Sequence, residues 1–221
     1  MTVCGFSASG DGCYAWADSE TYINSRVLSG HERKLGVSPG RIVGIGVGYW
    51  SVLDLFCRSV AGLGDESYAV AVVRLPSALR RAAEIKRAEM RGIDLAYEAA
   101  NAFAIVGPDG EGRIRGAVFA EDLDFAPVER DAWSSPHVAR APGNAAEVLE
   151  VAKMQLGFVQ IKAPGATGGK LTIARIGRER VATTVVPLLL GDERASRTVP
   201  AASGPRLAVA EADRLRRSWG M

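Results

Sequence analysis

Thr2, Asp18 and Lys34 stand at intervals of sixteen and sixteen near the start of this 221-residue chain. The small Thr side chain behind Met1 permits removal of that methionine by an aminopeptidase, leaving a free α-amine on Thr2. A Thr hydroxyl is too poor an acid to attack an amide unaided, but its own α-amine is a base with a reference pKa of about 7.7 to 8. One residue then supplies both nucleophile and base, directly or through a water. The amine must be mainly neutral to do so, and a permanent cation nearby depresses its pKa. Lys34 is the candidate cation and Asp18 the carboxylate that holds it. Taken singly, Thr2 is a residue tolerated after Met, and Asp18 with Lys34 is a surface ion pair worth about 0 to 1 kcal/mol. The shared register, with apolar strands on either side, favours chemistry.

These residues need elements to position them. Thr2 to Ser7 and Gly12 to Asp18 are β-prone runs separated by Ala8-Ser9-Gly10-Asp11, a hairpin signal that places the N-terminus inside a sheet. After a polar stretch, Arg41 to Val47 reads as a strand, and Val52, Leu53, Leu55, Phe56, Val60 and Leu63 predict a buried helix opened by Gly48. Pro76 to Arg91 predicts a second helix beside the first, with Pro at its first position. Phe103 to Val106 and Ile114 to Phe119 form a second hairpin across Gly107 to Gly112. Ala145 to Phe158 reads as a helix, and Leu171 to Ile176 and Val181 to Leu188 as strands. Segregated strands and helices argue for sheets covered by helices. Arg194 to Pro205 reads as a loose connection to a short basic helix, Ala208 to Trp219.

The chain resembles the proteasome β-subunit family of N-terminal-nucleophile threonine peptidases. The likeness lies in the opening TVCGFSASGDGCYAWADS, in Lys34 followed by a hydrophobic residue, and in the strand end RIVGIGVG. It implies an α+β fold, a four-layer α/β/β/α sandwich over 1–191, with 192–221 as a C-terminal extension. It also implies Thr2 as nucleophile, Asp18 and Lys34 as its electrostatic supports, and the Gly48 N–H as oxyanion donor, with Gly46 as the fallback. Ser134, in Trp133-Ser134-Ser135-Pro136, stands nearest to the family's Gly-Ser pair. Thr167 takes the place of a serine in a Gly-rich turn, though the Asp expected before that turn is absent from Lys162 to Gly169. Glu20 occupies a position where many active members carry a basic residue. Thr21, Glu32, Gly46 and Trp50 fall where the family lines its first specificity pocket. The resemblance further implies peptide or unfolded-protein substrates, no cofactor, and a stacked-ring homo-oligomer fed by an ATP-driven unfoldase. A catalytically silent ring or scaffold protein and a small-molecule amidase of the wider group are the alternative readings.

Composition narrows the remaining classes. Lys plus Arg at 27 against Asp plus Glu at 25 gives a net charge of +2, too balanced to indicate a nucleic-acid or membrane surface. Cys4, Cys13 and Cys57 lack CxxC spacing, and His31 and His137 lie far apart in the sequence without a Cys or carboxylate at metal-ligand spacing, so neither a disulfide framework nor a metal site is expected. Gly44-Ile45-Gly46-Val47-Gly48 misses the dinucleotide-binding pattern by one place. Pro164 to Leu171 lacks the first Gly and the Ser or Thr of a phosphate-binding loop. No secretory signal and no membrane-spanning run is apparent, and a reducing cytoplasm is the expected location.

Overall fold

The computed structural model describes residues 2–8, 13–23, 26–29, 34–92, 101–162, 168–177 and 179–188, all within the unit Met1–Leu190. The expected helix at 208–219 lies outside them.

β1 (Cys4–Ser7) and β2 (Cys13–Asp18) form the expected antiparallel hairpin, with Cys4 opposite Ala17 and Ser7 opposite Tyr14. Both strands are buried along their whole length. Alternate side chains leave opposite faces of the pleat: Cys4, Phe6, Ala15 and Ala17 enter one core, and Val3, Tyr14 and Trp16 another. Burial on both faces explains why the sequence here is apolar almost without interruption.

The stretch expected to be a polar connection contains three short strands. β3 (Thr21–Ile23) and β4 (Arg26–Ser29) pair as a two-stranded ribbon, and β5 (Leu35–Val37) pairs with β6 (Val43–Val47). Elements of three or four residues are too short for their periodicity to be read. α1 (Trp50–Ala61) follows as expected. It packs so closely on β5 that a Cβ at Gly36 would collide with the Cys57 carbonyl.

α2 spans Tyr68–Gly92, so Pro76 lies inside the helix and not at its start. The run Val70, Val72, Val73 weakens local helix propensity, and Pro is otherwise a good first residue. Tertiary packing overrides both. Tyr68, Ala71, Leu75, Leu79, Ala82 and Ala83 recur at three- and four-residue spacing and are buried, sharing a core with Phe56 and Val60 of α1.

β7 (Ala102–Pro108) and β8 (Ile114–Ala120) extend the second expected hairpin by a residue or two, and a 3-10 turn follows at Glu121–Leu123. β9 (Pro127–Glu129) and β10 (Ala132–Ser135) are short and were not anticipated. α3 (Ala145–Lys162), β11 (Lys170–Ile176) and β12 (Val181–Pro187) complete the described elements.

The strands form two five-stranded antiparallel sheets, ordered β10-β1-β2-β11-β12 and β5-β6-β7-β8-β9. The fold is mixed α and β with segregated elements, as expected at that level. Three apolar cores hold it. One joins α1 and α2 to Phe103, Ile105, Ala117 and Phe119 of the second sheet. Another joins Val148, Val151, Ala152, Leu156 and Val159 of α3 to Val3, Trp16, Leu171 and Ile173 of the first sheet. The third gathers Cys4, Phe6, Ala15 and Ala17 from the first sheet with Val43, Ile45, Ala104 and Val106 from the second. No helix among the described residues is long and apolar enough to cross a membrane.

Candidate active site

The site is assembled where the β1–β2 hairpin meets the start of β5. The Asp18 N–H donates to the Val3 carbonyl at 2.8 Å, carrying the hairpin ladder past the last paired residues. That bond places the end of β2 beside Thr2. Lys34 directly precedes β5 in the other sheet, and its side chain reaches across to the hairpin.

The Lys34 ammonium makes three donations there. It lies 3.3 Å from Thr2 Oγ1 and 2.8 Å from Asp18 Oδ1, and it also donates to the Glu20 carbonyl. Thr2, Asp18 and Lys34 are 6%, 1% and 3% exposed. The sixteen-residue spacing thus resolves into one buried cluster. A cation so placed disfavours protonation of any base beside Thr2.

Burial pushes the Asp18 carboxyl up to about 6; the Lys34 charge and hydrogen bond oppose this, and the nearby Glu20 charge adds to it. Asp18 Oδ2 has no hydrogen-bond partner among the described residues, which leaves half the carboxylate unsupported in a low-dielectric setting. The neighbouring Cys4 thiol is raised by burial and further by the Asp18 charge. Burial also pushes the Cys13 thiol up to about 12.

Gly48 follows the last residue of β6 with φ 145°, a conformation L side chains rarely adopt, and a Cβ there would collide with the Asn101 side chain. Asn101 Oδ1 accepts the Tyr49 N–H at 2.9 Å, while Asn101 Nδ2 donates to Glu121 Oε2 at 2.6 Å. Arg87 of α2 donates to Glu121 Oε1 at 2.9 Å. The backbone around the expected oxyanion donor is therefore fixed by a buried amide tied through Glu121 to a helix.

The other expected residues are placed as follows. Gly46 lies within β6 opposite Phe103. Trp50, the first residue of α1, is half-buried against the core shared by α1 and α2. Thr21 opens β3. Ser134 lies in β10 opposite Gly5, and its Oγ accepts the Val138 N–H at 3.1 Å. It lines an open cavity of about 180 Å³ with Trp16, Trp133, His137 and Arg140. The structure brings together Thr2, Asp18 and Lys34 and gives Ser134 a separate task in the turn after β10. Thr167 and Glu32 lie outside the described residues.

Two polar residues that support the site, Asn101 and Gln155, escaped the sequence reading, and a third, Glu20, was noted there without a supporting role. Asn101 holds the Gly48–Tyr49 turn. Gln155 of α3, fully buried, accepts the Trp16 indole N–H at 2.9 Å and donates to the Cys4 and Pro136 carbonyls at 2.9 and 3.0 Å. Glu20, 4% exposed, accepts the Gly168 N–H on Oε2 at 2.7 Å. The only signal available for Gln155 was a lone amide at a core position of α3.

Among the described residues, no group of three or more His, Cys, Asp and Glu side chains is gathered as a metal ion requires. Neither a protein-family model nor a curated protein sequence matches this chain.

Proposed function

We propose that the protein is an N-terminal threonine peptidase with Thr2 as nucleophile after removal of Met1. The observation that carries this reading is the Lys34 ammonium, buried between Thr2 Oγ1 at 3.3 Å and Asp18 Oδ1 at 2.8 Å. In the reaction, Thr2 Oγ1 attacks the peptide carbonyl and its proton passes to the Thr2 α-amine. The tetrahedral oxyanion is held by a backbone N–H at Gly48, a contribution of about 3 kcal/mol for one such donor. Collapse breaks the C–N bond, the amine proton goes to the leaving nitrogen, and an acyl ester remains. Water, deprotonated by the same amine, then releases the acid and restores the hydroxyl.

The three apolar cores support reading the fold as a four-layer α/β/β/α sandwich. Ring assembly around an enclosed chamber, unfolded-protein substrates delivered by an ATP-driven unfoldase and a cytoplasmic location belong to the same proposal. A silent ring or scaffold protein is the second reading, favoured by Ser134, whose hydroxyl is engaged with Val138. Intact-mass analysis combined with a threonine-directed electrophile tests the choice. The peptidase reading expects loss of Met1 and a single adduct that disappears in Thr2→Ala. Retained Met1 with no adduct would establish the silent form.

A further inference from the structure

We propose that Glu20 is a positioning residue that fixes the Lys34 ammonium relative to the backbone entering β11, a role that rests on the reading of Thr2 as nucleophile. Glu20 is buried and bonds in two directions: its carbonyl accepts from Lys34 Nζ, and its carboxylate accepts the Gly168 N–H at 2.7 Å. Its neighbour Ser19 accepts the Lys170 N–H at 3.0 Å. Two adjacent side chains thus clip the backbone on either side of Gly169. Gly168 and Gly169 have φ of 72° and 60°, so this backbone is permissive and takes its order from such external partners. The Leu171–Asp18 pairing of β11 with β2 closes the loop. From Asp18 to Glu20, one three-residue segment holds the cation with its first and last members and the Gly168–Lys170 backbone with its last two.

A carboxylate is an unexpected choice here, because its charge also pushes Asp18 away from ionisation. Its use is geometric. A buried backbone N–H left without an acceptor is costly, so Gly168 pins the Glu20 side chain, and the pinned residue presents its carbonyl to Lys34. Displacement of Glu20 would move Lys34 from Thr2 without touching substrate.

The test compares Glu20→Ala with Glu20→Gln, which keeps an oxygen acceptor for Gly168. Amide exchange at Gly168 and the ¹⁵N resonance of the Lys34 ammonium are followed by NMR, and kcat and KM are measured on a peptide substrate. Glu20→Ala is expected to accelerate Gly168 exchange at least about tenfold, to shift the Lys34 resonance, and to lower kcat about tenfold with KM within about twofold. Glu20→Gln restores all of these. A Lys34 signal that stays put while Gly168 exchange accelerates would overturn the coupling, and so would equal impairment in the two variants. A wild-type protein with no turnover would defeat the peptidase reading alone, since both NMR observations are independent of it.

Discussion

Lys34 Nζ and Asp18 Oδ1 stand 2.8 Å apart with side chains only 2% and 0% exposed. An ion pair this deep is not a bargain in stability. Removing two charges from water costs several kcal/mol each, and their attraction repays it only when further hydrogen bonds complete the site. Thr2 and the Glu20 carbonyl are those further partners for Lys34. A pair so expensive, placed against a hydroxyl, is better explained by what it does to Thr2 than by what it adds to the fold.

Breaking one side of the pair strands the other. Lys34→Met is expected to lower stability by about 3 to 5 kcal/mol through the uncompensated Asp18 carboxylate. The double variant Asp18→Asn/Lys34→Met should recover much of that loss while remaining without turnover. Urea denaturation alongside a peptide assay reads both quantities, and a double variant that hydrolyses peptide at the wild-type rate would sink the catalytic role of the pair.

The Asp18 carboxyl gives the stability an unusual pH dependence. Its pKa in the fold, about 6, lies above the ordinary 3.8, so the folded state binds the proton more tightly than the unfolded chain. The resulting stabilisation is fully present below about pH 3.8 and is lost as pH rises through about 6, a total of roughly 3 kcal/mol. On the proposed mechanism activity runs the other way, because the ionised carboxylate anchors Lys34: kcat/KM should climb through about pH 6. Comparing the denaturation of wild type and Asp18→Asn from below the ordinary 3.8 to above about 6 isolates the effect. A stability difference that stays constant across that window would refute it.

How much of this was legible in the sequence depends on the scale of the signal. The β1–β2 hairpin, α1, and the spacing of Thr2, Asp18 and Lys34 all announced themselves, the first through β-prone runs on either side of turn residues, the second through periodicity and the last through residue types that make sense only together. The start of α2 was hidden because Pro76 imitates a helix beginning while the Val70–Val73 run imitates a strand. β3, β4, β5, β9 and β10 have three or four residues each, and such strands are specified by partners distant in the chain. Asn101 and Gln155, and the supporting contacts of Glu20, were invisible for a related reason. A buried polar residue declares its purpose only through the backbone groups it satisfies, and those belong to other elements.

Asn101 offers a direct test of the Gly48 turn. Asn101→Ala removes the acceptor for the Tyr49 N–H and a donor to Glu121, a loss of about 1 to 3 kcal/mol for the unsatisfied groups. Turnover should fall more steeply than substrate affinity, because an oxyanion donor in the role proposed for Gly48 is engaged only in the transition state. Gly48→Ala should be worse on both counts, since its φ of 145° is strained for Ala and the new Cβ meets Asn101. A fully active Gly48→Ala protein would remove Gly48 from the site.

Gln155 makes the opposite prediction, of stability lost without a specific catalytic signature. Gln155→Leu fills the volume but leaves the Trp16 indole N–H and the Cys4 and Pro136 carbonyls without their partner. A cost of about 2 to 4 kcal/mol is expected from groups buried unsatisfied. Thermal unfolding reads it, and a variant as stable as wild type would show that these groups find other partners.

The cysteines acquire a practical meaning from their placement. Cys4 is buried only two positions from Thr2, with its thiol raised, and Cys13 is likewise pushed up to about 12. Thiolates are the reactive form, so these two sulfurs stay silent toward alkylating agents while the fold is intact. Gentle iodoacetamide treatment of the native protein should therefore leave both unmodified, and their sudden modification would serve as an alarm for unfolding at the very strands beside Thr2.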